Sequence, residues 1–461
     1  MNKKNLIKGY VFFNIVILGV IYIILNCNVE KYNGMVFITF FINFILIIMQ
    51  LIKSNKVGYS LDDMIWIFML SFMVIAPILQ YVQRSFPWGN SEMITDYVVV
   101  KTNITILIFS LTYIGFKMIC KFNQQKKSIN KLIFHNVNVI LNLSFYLSFL
   151  CAFYIIYKVG ITNLFSRSTN SLGIANGSIA MIIDTSFRAF PIITFSIHYV
   201  YKEVKKKYYS KSKIIVLFLI GVLINFPTGL PRFQMAAIYI GMLIILRRVF
   251  KNKYTFKYIL LFGLLFIFPL INIFRNNSLV DIINLNIVLP NPSEDFLKGD
   301  FDSYSMLARA IIYTTSYGIT WGRQLLGNVL FFLPRSFWGD KPVGSGVTIA
   351  EKLGWSFTNV SCPYIGEGII NFGMFGVVIF SIVLAMVVSK LNRDYQSNIF
   401  DESEEISIIR VIYPFIMGFL FFIMRGDLLS SLSFTLGFCV PCFILLAIDK
   451  VIIITKNISI R

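Results

Sequence analysis

Charge is scarce in this chain. Only 14% of its 461 residues are Asp, Glu, Lys or Arg, while 57% are hydrophobic. Mean hydropathy is +0.74. A soluble domain of this length could not bury so much apolar surface, so the composition points to a polytopic, all-α membrane protein. Histidine is scarcer still: only His135 and His198 occur. There is no P-loop, no G-x-G-x-x-G, no zinc-ligand cluster and no Ser-His-Asp set, which speaks against ATP-driven and metalloprotease chemistry. Cysteine is sparse, and "CVPC" at 439–442 lies inside an apolar run. A redox role needs a water-exposed thiol, so small-residue packing is the expected role there.

What the chain does have is long apolar runs. Twelve approach the ~20 residues that a helix needs to cross a bilayer. They fall near 8–27, 35–53, 64–82, 103–120, 136–157, 179–201, 213–228, 234–250, 257–274, 366–389, 407–424 and 429–453. No small-residue cleavage site follows the first run, so it is expected to remain as an uncleaved span. The net charge of +20 follows the positive-inside rule rather than nucleic-acid binding. With both termini in the cytoplasm, Lys-rich segments alternate with Lys-poor ones at every turn. Examples are Lys117–Lys131 and Lys202–Lys213 on the inner side.

This arrangement divides the chain into nine spans over 1–274, a large external loop over 275–365 and three spans over 366–461. The loop holds seven basic and seven acidic residues. Long loops inside compact proteins are usually functional. The partly apolar stretch 309–334 is interrupted by Gly318, Gly322, Arg323 and Gly327. It is expected to form an interfacial or re-entrant helix rather than a span.

Charges in or against spans are functional candidates. Asp184 and Arg188 stand four apart on the sixth run, on one helix face. The alternatives are a self-neutralising pair and an anion-binding Arg188 oriented by Asp184. "TGLPR" places Arg232 at the outer mouth of a helix. There a guanidinium could chelate phosphate oxygens beside a helix N-terminus, or simply snorkel. Arg275, Arg309, Arg323 and Arg335 punctuate the loop, an Arg-rich outer face opposite a Lys-rich inner one. Asp300 and Asp302 stand at D-x-D spacing. A metal pair and a bare carboxylate base are both open, with the base preferred. Asp340, Glu351 and Glu367 are the other external acids worth naming. Tyr313, Trp321 and Trp338 could stack on sugar rings or form an interfacial belt.

The region "FDSYSMLARAIIY…WGRQLLGNVLFFLPRSFWGDKPVGSG…NVSCPYIGEGIINFGMFGVVIF" resembles the Wzy-type O-antigen and capsule polymerases. "LPRSFWGDKP" and the "GE…NFG…G" run carry most of the likeness, over roughly 300–385. The resemblance implies a membrane glycosyltransferase in the bacterial inner membrane that joins repeat units carried on undecaprenyl pyrophosphate at the outer membrane face. Neither a nucleotide-sugar donor nor a cofactor or required metal is implied. External arginines are the family's expected functional residues. On that reading Arg188, Arg232, Arg275, Arg309, Arg335 and Lys341 would hold the pyrophosphate, Trp338 would contact sugar, and Asp302 or Glu367 would activate the acceptor hydroxyl. Membrane lipid, a flippase and a chain-length regulator are the implied partners. A lipid-linked oligosaccharide flippase needs no long external loop. An O-antigen ligase is expected to use an external His, which is absent. An export-complex scaffold remains a further alternative.

Overall fold

The computed structural model describes residues 32–53, 57–123, 132–165, 178–205, 209–246, 254–264, 292–400 and 406–459. The expected first span, the end of the ninth and Arg275 lie outside the described residues. Helices dominate, as the apolar runs require. They are α1 (Gly34–Ile52), α2 (Leu61–Val82), α3 (Asp96–Asn123), α4 (Val137–Val159), α5 (Ser178–Lys205), α6 (Lys211–Ile224), α7 (Arg232–Ile245) and α8 (Thr255–Phe262). Then come α9 (Ser303–Tyr317), α10 (Arg323–Val329), α11 (Ser345–Lys352), α12 (Tyr364–Phe400), α13 (Ile408–Arg425) and α14 (Leu428–Ser459). Among the described residues nine helices are long and apolar enough to cross a membrane. α7 is a shorter apolar helix, and α8 begins where the ninth run was expected. The chain is an all-α polytopic membrane protein. Among the described residues the strands are one two-residue pair, β1 (Ile133–Phe134) against β2 (Ile406–Ser407).

Two cores share α13. One gathers α1, α2, α3, α9 and α12; the other gathers α4, α5, α7 and α14. α2 is wholly enclosed. Its start carries Asp62 and Asp63, which sequence hydropathy alone would place badly in lipid. Both are paired. Asp63 meets Lys257 at 3.1 Å, and Asp62 meets Lys117, Tyr113 Oη (2.7 Å) and Asn392 Nδ2 (2.8 Å). Lys257 Nζ also donates to the Leu51 and Lys53 carbonyls at the end of α1. This basic end ties together α1, α2, α3, α8 and α12.

At the opposite end α12 is not one rod. Phe372 (φ −143°) and Gly373 (φ 63°) break it, and the chain folds back there. Tyr364 Oη reaches the Phe380 carbonyl at 3.1 Å, sixteen residues along. A straight helix would hold those residues about 24 Å apart. Residues 364–371 therefore form a short re-entrant helix antiparallel to the first turns of the through-going half. The backbones touch at Gly368 and Gly376, where a Cβ on Gly368 would sit 2.9 Å from the Gly376 carbonyl oxygen. Residues 364–371 are the element that folds back, while 309–334 comprises the end of α9, a bend and α10, none of them a span by length.

Gly376→Leu is expected to abolish the monodisperse protein peak on size-exclusion chromatography in detergent, because its side chain would overlap the Gly368 carbonyl. Gly115→Ala, with nothing near its Cβ position, should elute as wild type. A normal peak for Gly376→Leu would refute the fold-back.

Candidate functional site

Arg232, Asp300 and Asp302 gather at the end opposite the basic network, where α7 starts, α13 ends, and the segment 299–302 drops between them. Asp302 precedes α9 and is 1% exposed. Three chain segments converge on its carboxylate. Trp88 Nε1 donates at 2.7 Å, Ser361 Oγ at 2.8 Å, and Arg425 Nη2 lies at 2.9 Å. Arg425 also donates to the Gly299 carbonyl at 2.8 Å and rests over the Phe233 ring. Next to it, Arg232 Nη1 meets Asp300 Oδ2 at 2.5 Å. Arg232 begins α7 and Arg425 ends α13, and these two helices pack closely enough for Gly418 to touch Ala237. The result is an alternating cluster of two guanidiniums and two carboxylates. Asp300 and Arg425 are its more open members, at 17% and 14% side-chain exposure.

A second carboxylate pair borders the first. Glu367, on the re-entrant helix, is 0% exposed. Its Oε2 accepts from Ser345 Oγ (2.7 Å) and Asn328 Nδ2 (3.3 Å), and its Oε1 from the Leu428 amide (3.2 Å). Asp427 lies between α13 and α14. Its Oδ2 accepts from the Gly346 amide (3.2 Å) and its Oδ1 from the Leu429 amide (3.0 Å). The first turns of α11 and α14 thus face Asp427. Burial raises its pKa above the usual carboxylate range, and the backbone donors oppose that rise.

The remaining candidates are placed elsewhere. Arg188 is tied to Asp184 (3.1 Å) and donates to the Ile224 carbonyl at 2.6 Å. Arg309 is fully buried, donating to the Pro87 and Trp88 carbonyls and stacking on Trp355. Burial pushes its pKa down to about 10, against the pull of nearby Asp302. It fastens the loop that carries Trp88. Arg335, Trp338 and Lys341 form a separate turn closed on itself. Lys341 Nζ donates to the Phe331 and Leu333 carbonyls, Arg335 Nη1 to the Lys341 carbonyl. Burial, then Arg335, lowers the Lys341 pKa. Tyr313 is buried beside Tyr317, while Trp321 is exposed. No group of His, Cys, Asp and Glu that could hold a metal occurs among the described residues.

Residues 10–457 match the family model of the O-antigen polysaccharide polymerase Wzy. The chain belongs to this family. Its role is therefore that of an O-antigen polymerase, a multi-pass membrane protein of polysaccharide biosynthesis. No curated protein and no solved structure matches the chain. Within this Wzy protein the sequence reading passed over Trp88, Arg425 and Asp427. The last two lie in "RGD", the only charges between two apolar runs, and that isolation was the available signal.

Removing Arg425 would leave Asp302 buried beside only neutral donors. Arg425→Leu is expected to lower folding stability by about 3–5 kcal/mol. Ser361→Ala, which deletes one hydrogen bond to the same carboxylate, should cost about 1.5–3 kcal/mol. Thermal unfolding in detergent checks both, and an unchanged midpoint for Arg425→Leu would contradict the pairing.

Proposed function

We propose that the protein joins undecaprenyl-pyrophosphate-linked oligosaccharide units at the outer face of the inner membrane. The observation that carries this reading is the Arg232–Asp300–Asp302–Arg425 cluster at the end opposite the lysine-rich one. The positive-inside rule makes the lysine-rich end cytoplasmic, which puts both termini inside and the cluster outside. The segment around 292–365 is the external working part of the chain.

In this reading Arg232 and Arg425 hold the donor's diphosphate, assisted by the N-terminus of α7. The acceptor hydroxyl oxygen attacks the anomeric carbon of the donor's first sugar. The bond from that carbon to the phosphate oxygen breaks, and the lipid diphosphate leaves with the electron pair. Guanidiniums fixed on the departing oxygens stabilise the charge that develops there. The hydroxyl proton passes to a carboxylate. Asp302 and Glu367 are enclosed and each holds several donors, which suits them to positioning. Asp300 is more open and is adjacent to Arg232, so we assign it the proton. Arg188 and Arg309 brace the scaffold, since their guanidiniums are committed to backbone carbonyls. Neither a nucleotide sugar nor a metal enters the scheme. A chain-length regulator and a flippase are its natural partners.

Surface polysaccharide run on a gel, from cells carrying single variants, tests this. Arg232→Ala is expected to replace the ladder with single capped units at unchanged protein level, and Arg335→Ala to keep the ladder. With purified lipid-linked units, Asp300→Asn should slow polymerisation by about 10²–10⁴-fold. A wild-type ladder from Arg232→Ala removes the diphosphate assignment. Loss of all surface glycan, with lipid-linked units held inside, favours a flippase.

A further inference from the structure

α10 and its flanks are built inside out. Gln324 (5% exposed) and Asn328 (1%) face the protein, while Leu326 (50%) and Val329 (56%) face away from it. The buried amides have partners. Gln324 Nε2 donates to Thr348 Oγ1 at 2.9 Å and Asn328 Nδ2 to Glu367 Oε2. Trp321, Phe332 and Phe337, the last 85% exposed, extend the same apolar surface on either side of the helix. Water would favour the opposite arrangement, with amides out and aliphatic side chains in.

This surface runs into an exposed apolar flank of the spanning helix α12. The Thr320 amide donates to the Ile370 carbonyl at 2.9 Å and the Gly322 amide to that of Asn371. A Cβ on Gly322 would contact the Phe372 ring. Just past that ring, Met374 and Phe375 stand exposed on the through-going half of α12. Depth agrees. Asn392 belongs to the basic-end network, and from there to Met374 α12 rises about 27 Å. A hydrocarbon core is about 30 Å thick. α10 therefore packs at the level where the far edge of that core falls.

We propose that the outward face of α10, with Trp321 and Phe332, is seated in the acyl region of the bilayer leaflet on the site side, as a membrane-lying helix. Its occupant is phospholipid acyl chain. Arg323, paired with Asp340 at 2.9 Å, and Arg335 flank it at headgroup level. The inference does not rest on the polymerase reading, and a lid of water or a protein partner would give different results in the following test.

The full chain would be reconstituted in nanodiscs of phosphatidylethanolamine and phosphatidylglycerol. Cys27 and Cys120 are changed to Ser, since the other four cysteines are buried. Nitroxide is attached at Val329→Cys, Phe332→Cys and, as the water-facing comparison, Gly339→Cys, whose position is open. Collision with oxygen should exceed collision with a nickel chelate several-fold at 329 and 332, and the order should reverse at 339. Nickel preference at 329 and 332 would overturn the proposal in favour of water. Protection from both reagents there would overturn it in favour of a protein partner or second copy.

Discussion

The loop architecture depends on one buried carboxylate. Asp302 is removed from water, and an isolated ionised acid cannot persist there. It is tolerated because Arg425 and two neutral donors converge on it from three separate stretches of chain. Trp88 brings the connection between α2 and α3, Ser361 brings the entry to the re-entrant helix, and Arg425 brings the end of α13. Each of these segments also buries apolar side chains, Phe86, Val360 and Met424 among them, but apolar contact is not directional. The charge gives them a common address. An ion pair of this kind adds little net stability relative to an apolar replacement, and specifies arrangement instead. Arg309 does the same for the Trp88 loop through its carbonyls.

The same logic runs at the opposite end. Asp62 and Asp63 meet Lys117 and Lys257, so α2 crosses the middle of the protein between two ionic anchors. What differs is the cation, lysine at the basic end and arginine at the other. At the basic end Asp63 and Lys257 are almost fully enclosed (4% and 2% side-chain exposure), whereas Asp300 and Arg425 keep partial exposure. Enclosed pairs hold helices together. On the proposed reading, the partly open Arg232–Asp300 pair could exchange its carboxylate for a diphosphate with little reorganisation, because the guanidinium is already charged and aimed. The Asp62–Lys117 pair is more open still, at 11% and 36%, so exposure does not by itself separate the candidate site from the scaffold; the change from ammonium to guanidinium does.

Spans were legible from the sequence because bilayer thickness sets a length that apolar runs reveal directly. α12 shows where this reading stops. "YIGEGIINFGMFG" is apolar throughout, so composition cannot separate a helix that continues from one that folds back. The discriminating facts are the positive φ of Gly373 and the Gly368–Gly376 contact, both properties of three-dimensional approach. Site residues were legible by type but not by role. Arg232, singled out for its type, stands in the candidate cluster. Arg188 and Arg309 have the same chemistry in sequence but donate to backbone carbonyls. Arg425 escaped because a charged turn between spans looks like any other connection.

Depth connects the architecture to the chemistry. Tyr304, two residues past Asp302, donates to Asn103 Oδ1 at 2.9 Å. From Lys117 in the basic-end network, α3 rises only about 21 Å to Asn103, which is within a hydrocarbon core of about 30 Å. Tyr304 also donates to the Val99 carbonyl, about 27 Å along α3 from Lys117, so the Asp302 cluster lies near the far edge of such a core rather than well above it. A charge pair there interacts more strongly than it would in water, since the effective dielectric is lower. A polyprenyl diphosphate could reach that level with its tail still among acyl chains. On the proposed reading the protein would not need to lift the lipid out of the bilayer, and the carboxylates of Asp300 and Asp302 would keep the guanidiniums neutralised until it arrived.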